Sequence, residues 1–198
     1  MTAAPAILQE KLLTFEEFAA LSLDYPADLV EGKIVEMARN NPTHAQVVSR
    51  LGRFLGNHAD PKKLGRVYAG DVAIITKRDP DSGRGADVAF ASNERLKSQP
   101  AEVSALEIAP ELVIEVISPS NSWDHVMEKL AEYLGIGVSE VWIITPKSQT
   151  ALVDRAMEDI TGYSAAEKPI IEPKGFLEGF QLDLREVFEG IGNVPDAD

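Results

Sequence analysis

Leu112-Val-Ile-Glu-Val-Ile117 is the stretch whose reading decides the fold. Its apolar residues do not alternate with polar ones. Both faces should therefore be covered, as in a central strand of a layered sheet. Pro110 before it and Pro119 after it bound the strand. Downstream, Ser122 opens a helix running to about Leu134, with Val126, Leu130, Tyr133 and Leu134 on one face and Gly135 or Gly137 as the stop. Val141-Trp-Ile-Ile144 follows as another buried strand.

Upstream, Asp87-Val-Ala-Phe-Ala91 reads as a short strand that begins after a flexible Arg84-Gly-Ala86 and a turn cluster at Asp79-Pro-Asp-Ser-Gly83. Arg66 to Thr76 alternates weakly and reads as a strand. Asn41-Pro-Thr43 opens a helix to about Ala59, with Val47, Val48, Leu51, Phe54 and Leu55 as its buried stripe. Leu29 to Met37 predicts a hairpin turning at Glu31-Gly32. Thr14 and Glu17 have capping-box spacing for a first helix. Beyond the second buried strand, Ala151 to Arg155, Gly162-Tyr163 and Phe176 to Leu184 predict short outer strands, and Leu184 to Phe188 a closing helical turn. The fold class expected is α+β (α/β-like), a mixed central β-sheet flanked by helices.

The chain of 198 residues suits one domain. We divide it into an N-terminal extension (1–12), a single domain (13–190) and a C-terminal tail (191–198). A hydrophobic share of 44% supports a full core and argues against global disorder. No apolar run approaches the roughly 20 residues of a membrane span, and Met1 to Leu13 lacks the basic region of a signal peptide. There is no cysteine, so disulfides and thiolate metal sites are excluded and a cytoplasmic home is expected. With only three histidines, any catalytic metal should be a hard cation held by carboxylates. The net charge of −13 weighs against tight, non-specific binding of nucleic acid. The densest basic neighbourhood, Arg50, Arg53, Lys62, Lys63 and Arg66, is either a solvated helix face and loop or a local basic lip around a cleft.

Three residues stand out chemically. Glu115 interrupts an apolar run, and burying a carboxylate without a partner costs several kcal/mol. It needs a cation, a metal or a retained proton, unless it sits at the wet end of the strand. Asp87 starts its strand. It is either a solvated turn residue or a second carboxylate beside Glu115, and such a pair can chelate a divalent ion that polarises a phosphodiester. Lys129 lies at the border of its helix's apolar face. It either snorkels over the sheet into the same cleft or pairs in solvent with Glu128 or Glu132.

Glu115-Val-Ile-Ser-Pro-Ser120, followed by Asp124, Lys129, Tyr133, Gly137-Val138 and Glu140-Val-Trp-Ile143, resembles the Uma-two family within the PD-(D/E)XK (restriction endonuclease-like) nuclease superfamily. Leu29 to Val35, Asn41-Pro-Thr-His44, Ala86-Asp87-Val88 and Asn93-Glu-Arg95 extend the likeness from about Leu13 to about Phe188. The resemblance implies a restriction endonuclease-like core with Asp87 and Glu115 as ligands of Mg²⁺ or Mn²⁺. The superfamily's lysine position, two residues after the acid, is Ile117 here, and Lys129 on the following helix matches its replacement. Asp124 matches the acidic residue that orients Lys129 or a water. Asp28 falls where the family more often has a glutamate and would be an outer ligand through water. His44 would be a phosphate contact or a structural residue. Ala86 replaces the usual proline.

Two main readings of function follow. One is a metal-dependent endonuclease that hydrolyses DNA, expected as a homodimer that cuts two strands. The other is a catalytically inactive nuclease-fold protein, a dimeric binding or regulatory module in which Glu115 simply pairs with Lys129. A nuclease whose specificity comes from a partner is a third, since no reader module such as a helix-turn-helix is visible.

Overall fold

The computed structural model describes residues 11–101, 104–118, 122–155 and 159–191. Most of the expected extension and tail lies outside these residues, as do Pro119 and Ser120 of the Glu115 motif. Helix α1 (Phe15–Ala19) starts on the Thr14/Glu17 capping box. Strands β1 (Ala27–Val30) and β2 (Lys33–Glu36) form the hairpin, with Glu31 and Gly32 both at positive φ, as a two-residue turn requires. Helix α2 (Pro42–Lys62) is capped by Asn41 and runs three residues beyond the expected end.

A long hairpin follows, β3 (Gly65–Lys77) and β4 (Ser82–Ser92), then the short α3 (Asn93–Leu96). Next come β5 (Leu112–Val116), α4 (Trp123–Gly135) capped by Ser122, and β6 (Glu140–Thr145). Strands β7 (Thr150–Asp154) and β8 (Ile160–Ser164) extend the sheet. The two-residue strands β9 (Ile170–Ile171) and β10 (Leu182–Asp183) pair apart from it, before α5 (Leu184–Phe188).

Three expectations need correction. Arg84-Gly-Ala86 is not flexible, because β4 begins at Ser82 and buries Arg84 to 1% exposure. The turn cluster ends at Asp81, since Ser82 and Gly83 already pair with β3. Phe176 to Gln181 is not a strand, and only Leu182–Asp183 pairs. The basic neighbourhood is partly structural, since Arg50 donates to the carbonyl of Val187 at 3.0 Å at the end of α5.

The main sheet has eight strands, mixed in direction: β5 and β6 run parallel through α4, and the other ladders are antiparallel. Val88, Phe90, Leu112, Ile114, Trp142 and Ile144 pack under α2 and α5 on one face. Val113, Val141 and Ile143 pack under Val126, Leu130 and Tyr133 of α4 on the other. The run of β5 is continuous because both faces are covered.

One irregularity positions the site. Gly83 of β4 pairs with Ile75 of β3 on one edge and with Leu29 of β1 on the other. Val88 pairs with Ala69 of β3 and with Ile114 of β5. Strands β1 and β5 therefore share one edge of β4 and diverge from each other between Gly83 and Val88. The side chain of Phe15 covers this start of β4: a Cβ on Gly83 would lie 2.3 Å from its Cε2. Gly83→Ala is expected to cost about 1–3 kcal/mol by overpacking against a buried ring, measurable as a lower urea midpoint.

Candidate active site

The gap between β1 and β5 is closed by side chains. Asp28 of β1 accepts a hydrogen bond from the Gly85 amide at 2.9 Å, and Asp87 of β4 accepts one from the Val116 amide at 2.7 Å. One step beyond the ladder pair Val88/Ile114, Asp87 stands opposite Glu115, and antiparallel partners project to the same face. Asp28, Asp87, Glu115 and Lys129 all line one cavity of about 50 Å³. A single water needs only about 10–15 Å³ of such space, so there is room for an ion with several of its waters.

Each group is held. His44, buried in the first turn of α2, has its Nε2 3.1 Å from Asp87 Oδ2. Tyr133 donates to Glu115 Oε1 at 2.9 Å. Lys129 donates to the Gly85 carbonyl at 2.6 Å, lies 3.5 Å from both Glu115 oxygens and 3.8 Å from Asp28 Oδ2. It does not pair with Glu132, which accepts from Arg84 and Thr76.

The electrostatics follow from enclosure. Burial pushes Glu115 up to about 7, with the Lys129 ammonium opposing the rise and the Asp87 carboxylate adding to it. Burial alone would lower Lys129, but the facing carboxylates, Glu115 first, outweigh it and raise it above its ordinary value. Lys129 is therefore a fixed cation at neutral pH. Burial and the Glu115 charge raise Tyr133 well above its ordinary value, so the phenol stays a donor.

Three contributors were not singled out in the sequence. Asp71 lines the cavity from a bulge in β3, where Gly70 and Asp71 both have positive φ. Burial raises its carboxyl, Lys129 opposing. A Cβ on Gly85 would lie 2.0 Å from Asp71 Oδ1, so Gly85 is what admits this acid. His125 lines the cavity one helical turn before Lys129, and burial, then the Arg84 and Lys129 charges, lower its pKa. Arg84 sits beneath, 3.7 Å from Asp28 Oδ2. Among the described residues, nothing hydrogen-bonds the buried Asp28 Oδ2, Arg84 Nη1 or His125 Nε2.

Asp124 is not brought to this cluster. It is exposed in the first turn of α4 and does not line the cavity. It lies five helical positions before Lys129, which turns it about 140° away at roughly 100° per residue.

The donor set suits a hard divalent ion: carboxylate oxygens from facing strands, one of them on Asp28 lacking a hydrogen-bond partner. Among the described residues, no three His, Asp or Glu side chains are already gathered as a metal cluster. An ion here would complete its shell with water and ligand oxygens, as Mg²⁺ commonly does. Also among the described residues, no helix is long and apolar enough to cross a membrane.

Comparison with known proteins identifies the family and the fold. A family model described as "Uma2: Putative restriction endonuclease" matches residues 15–185. A comparison with curated proteins finds no match. Among solved structures, a "putative nuclease belonging to DUF820" from Anabaena variabilis superposes with a TM-score of 0.75 at 20% identity. The match covers 89% of this chain and 97% of that one, and shows a shared fold.

Proposed function

The chain belongs to the Uma2 family, and from that membership we propose that it is a divalent-metal-dependent endonuclease that hydrolyses phosphodiester bonds in DNA. The observation that carries the reading is the meeting of Asp87 and Glu115 across neighbouring strands, with Lys129 from the next helix, in one polar cavity.

In this reading Asp87 and Glu115 hold Mg²⁺ or Mn²⁺, with Asp28 reached through water. When bound, the ion supplies Lewis acidity and lowers the pKa of a coordinated water. His44 fixes the rotamer of Asp87 through Nε2, and the Tyr133 hydroxyl fixes that of Glu115. Lys129 Nζ, anchored on the Gly85 carbonyl, stays protonated. It acts as a cation facing the charge that builds on the phosphoryl oxygens, not as a general base. Asp124, exposed, keeps at most an indirect part through the first turn of α4. A homodimer would supply the two sites needed to cut both strands, and the reading places the protein in the cytoplasm with DNA.

The test is cleavage of supercoiled plasmid and single-stranded DNA in Mg²⁺ or Mn²⁺, against EDTA. Wild type is expected to cut in metal only, with Asp87→Ala and Glu115→Gln at background. Equal activity in the three proteins would mean a contaminant and overturn the assignment.

A further inference from the structure

Two grooves leave the cavity in different directions, and α2 begins where they meet. The first, about 540 Å³, runs between α2 and the β3 bulge and shares His44, Asp71 and Asp87 with the cavity. The second, about 530 Å³, runs past the end of β5 and the β6–β7 turn and shares His44 and Ile117 with it. Both fall within the roughly 300–1,000 Å³ of ligand clefts.

Apart from the acids of the cavity itself, few charged side chains line them. The protein carries 32 acidic residues and a net charge of −13. Yet among the described residues the carboxylates lining the first groove are Asp71 and Asp87, which belong to the cavity, and none lines the second. Among the described residues each contains one lysine or arginine: Arg53 in the first, Lys147 in the second. The remaining polar lining suits a phosphodiester backbone: Asn40 and Ser49 in one groove, Asn41, Thr43 and Gln149 in the other. Ala45, Ser49 and Gly52 follow one another at i, i+4 and i+7, so the α2 wall of the first groove is smooth and small. The positive end of the 21-residue helix α2 points at the junction.

We propose that a single DNA strand crosses the active site from one groove to the other, its backbone passing Arg53 on one side of the scissile phosphate and Lys147 on the other. This rests on the nuclease reading and extends it to a substrate path. The sparseness of cations favours one strand. Two of them match about two phosphates, whereas a duplex surface sets more lysines and arginines against two backbones.

The experiment measures metal-dependent cleavage of a fluorescent single-stranded oligonucleotide, and of its duplex, by wild type, Arg53→Glu and Lys147→Glu. The expected result is a KM for the single strand raised about tenfold in each variant, with a much smaller change in kcat. The salt dependence should weaken by about one in log–log slope per variant. Wild type should cut the single strand at a lower KM than the duplex. If wild type cuts DNA but both variants keep its KM, or only one changes, the path is wrong and the active-site reading stands. A duplex KM equal to or below that of the single strand overturns the single-strand assignment. If wild type cuts nothing in metal, the nuclease reading falls and the path with it.

Discussion

Glu115→Gln is expected to stabilise the metal-free protein at pH 8 while abolishing cleavage. Burial holds the Glu115 proton up to about 7 in the fold, against an ordinary 4.5. A raised carboxylate pKa means that the folded state binds more protons than the unfolded chain between those values, so stability falls as pH rises through that window. Below 4.5 both states are protonated and the substitution should be nearly neutral. Above 7 the fold carries the full cost of an ionised Glu115, up to roughly 3 kcal/mol. Gln keeps the acceptor for Tyr133 and removes the charge facing Asp87. Urea midpoints measured in EDTA from pH 4 to pH 8 check this: wild type should lose stability across the window and the variant should not. Added Mg²⁺ should stabilise wild type far more than the variant. A variant weaker than wild type at pH 8 would instead make Glu115 a structural partner of Lys129, as in the non-catalytic reading.

The elements around the site were legible because their signals are local. Thr14, Asn41 and Ser122 each cap the helix they were expected to start, and the unbroken apolar run of β5 announced a strand covered on both faces. What escaped depends on contacts between distant segments. Gly83 read as the end of a turn and Gly85 as flexibility, but Phe15 and Asp71 occupy the space their side chains would need. Glycine for close approach and glycine for mobility look alike in a sequence. Tyr133 was placed correctly on the apolar face of α4, yet periodicity does not register the one polar atom at the tip of its ring. Asp71 reaches the cavity only through the β3 bulge, and Gly70 inside a strand was the available signal. His125 was visible in principle, four residues before Lys129 and so on the same helix face. Asp124 was chosen by its place in a motif, and the same helical geometry turns it away.

Lys129→Met is expected to cost about 3–5 kcal/mol in metal-free protein at pH 8, the range for removing one member of a buried charged cluster. Methionine fills much the same volume, so the loss is electrostatic: Asp28, Asp87 and Glu115 would face one another around a cavity without the ammonium. The Lys129 pKa is raised in the fold, so its contribution is fully present below its ordinary 10.5 and is lost only as pH climbs through the higher folded value. At pH 8 the whole effect is therefore on display. At pH 5 Glu115 is protonated and the penalty should shrink. The two substitutions should also be coupled. Glu115→Gln removes one of the acids that Lys129 balances, so it should rescue Lys129→Met by more than it stabilises wild type. A four-protein urea cycle at pH 8 in EDTA measures that coupling. Strict additivity would mean that the two groups do not sense each other, and the cavity would lose the charge balance on which the assignment of Lys129 rests. Divalent ion should restore part of the lost stability without restoring cleavage, because a cation bound by the acids replaces the balancing charge of the ammonium but not its position beside the phosphoryl group.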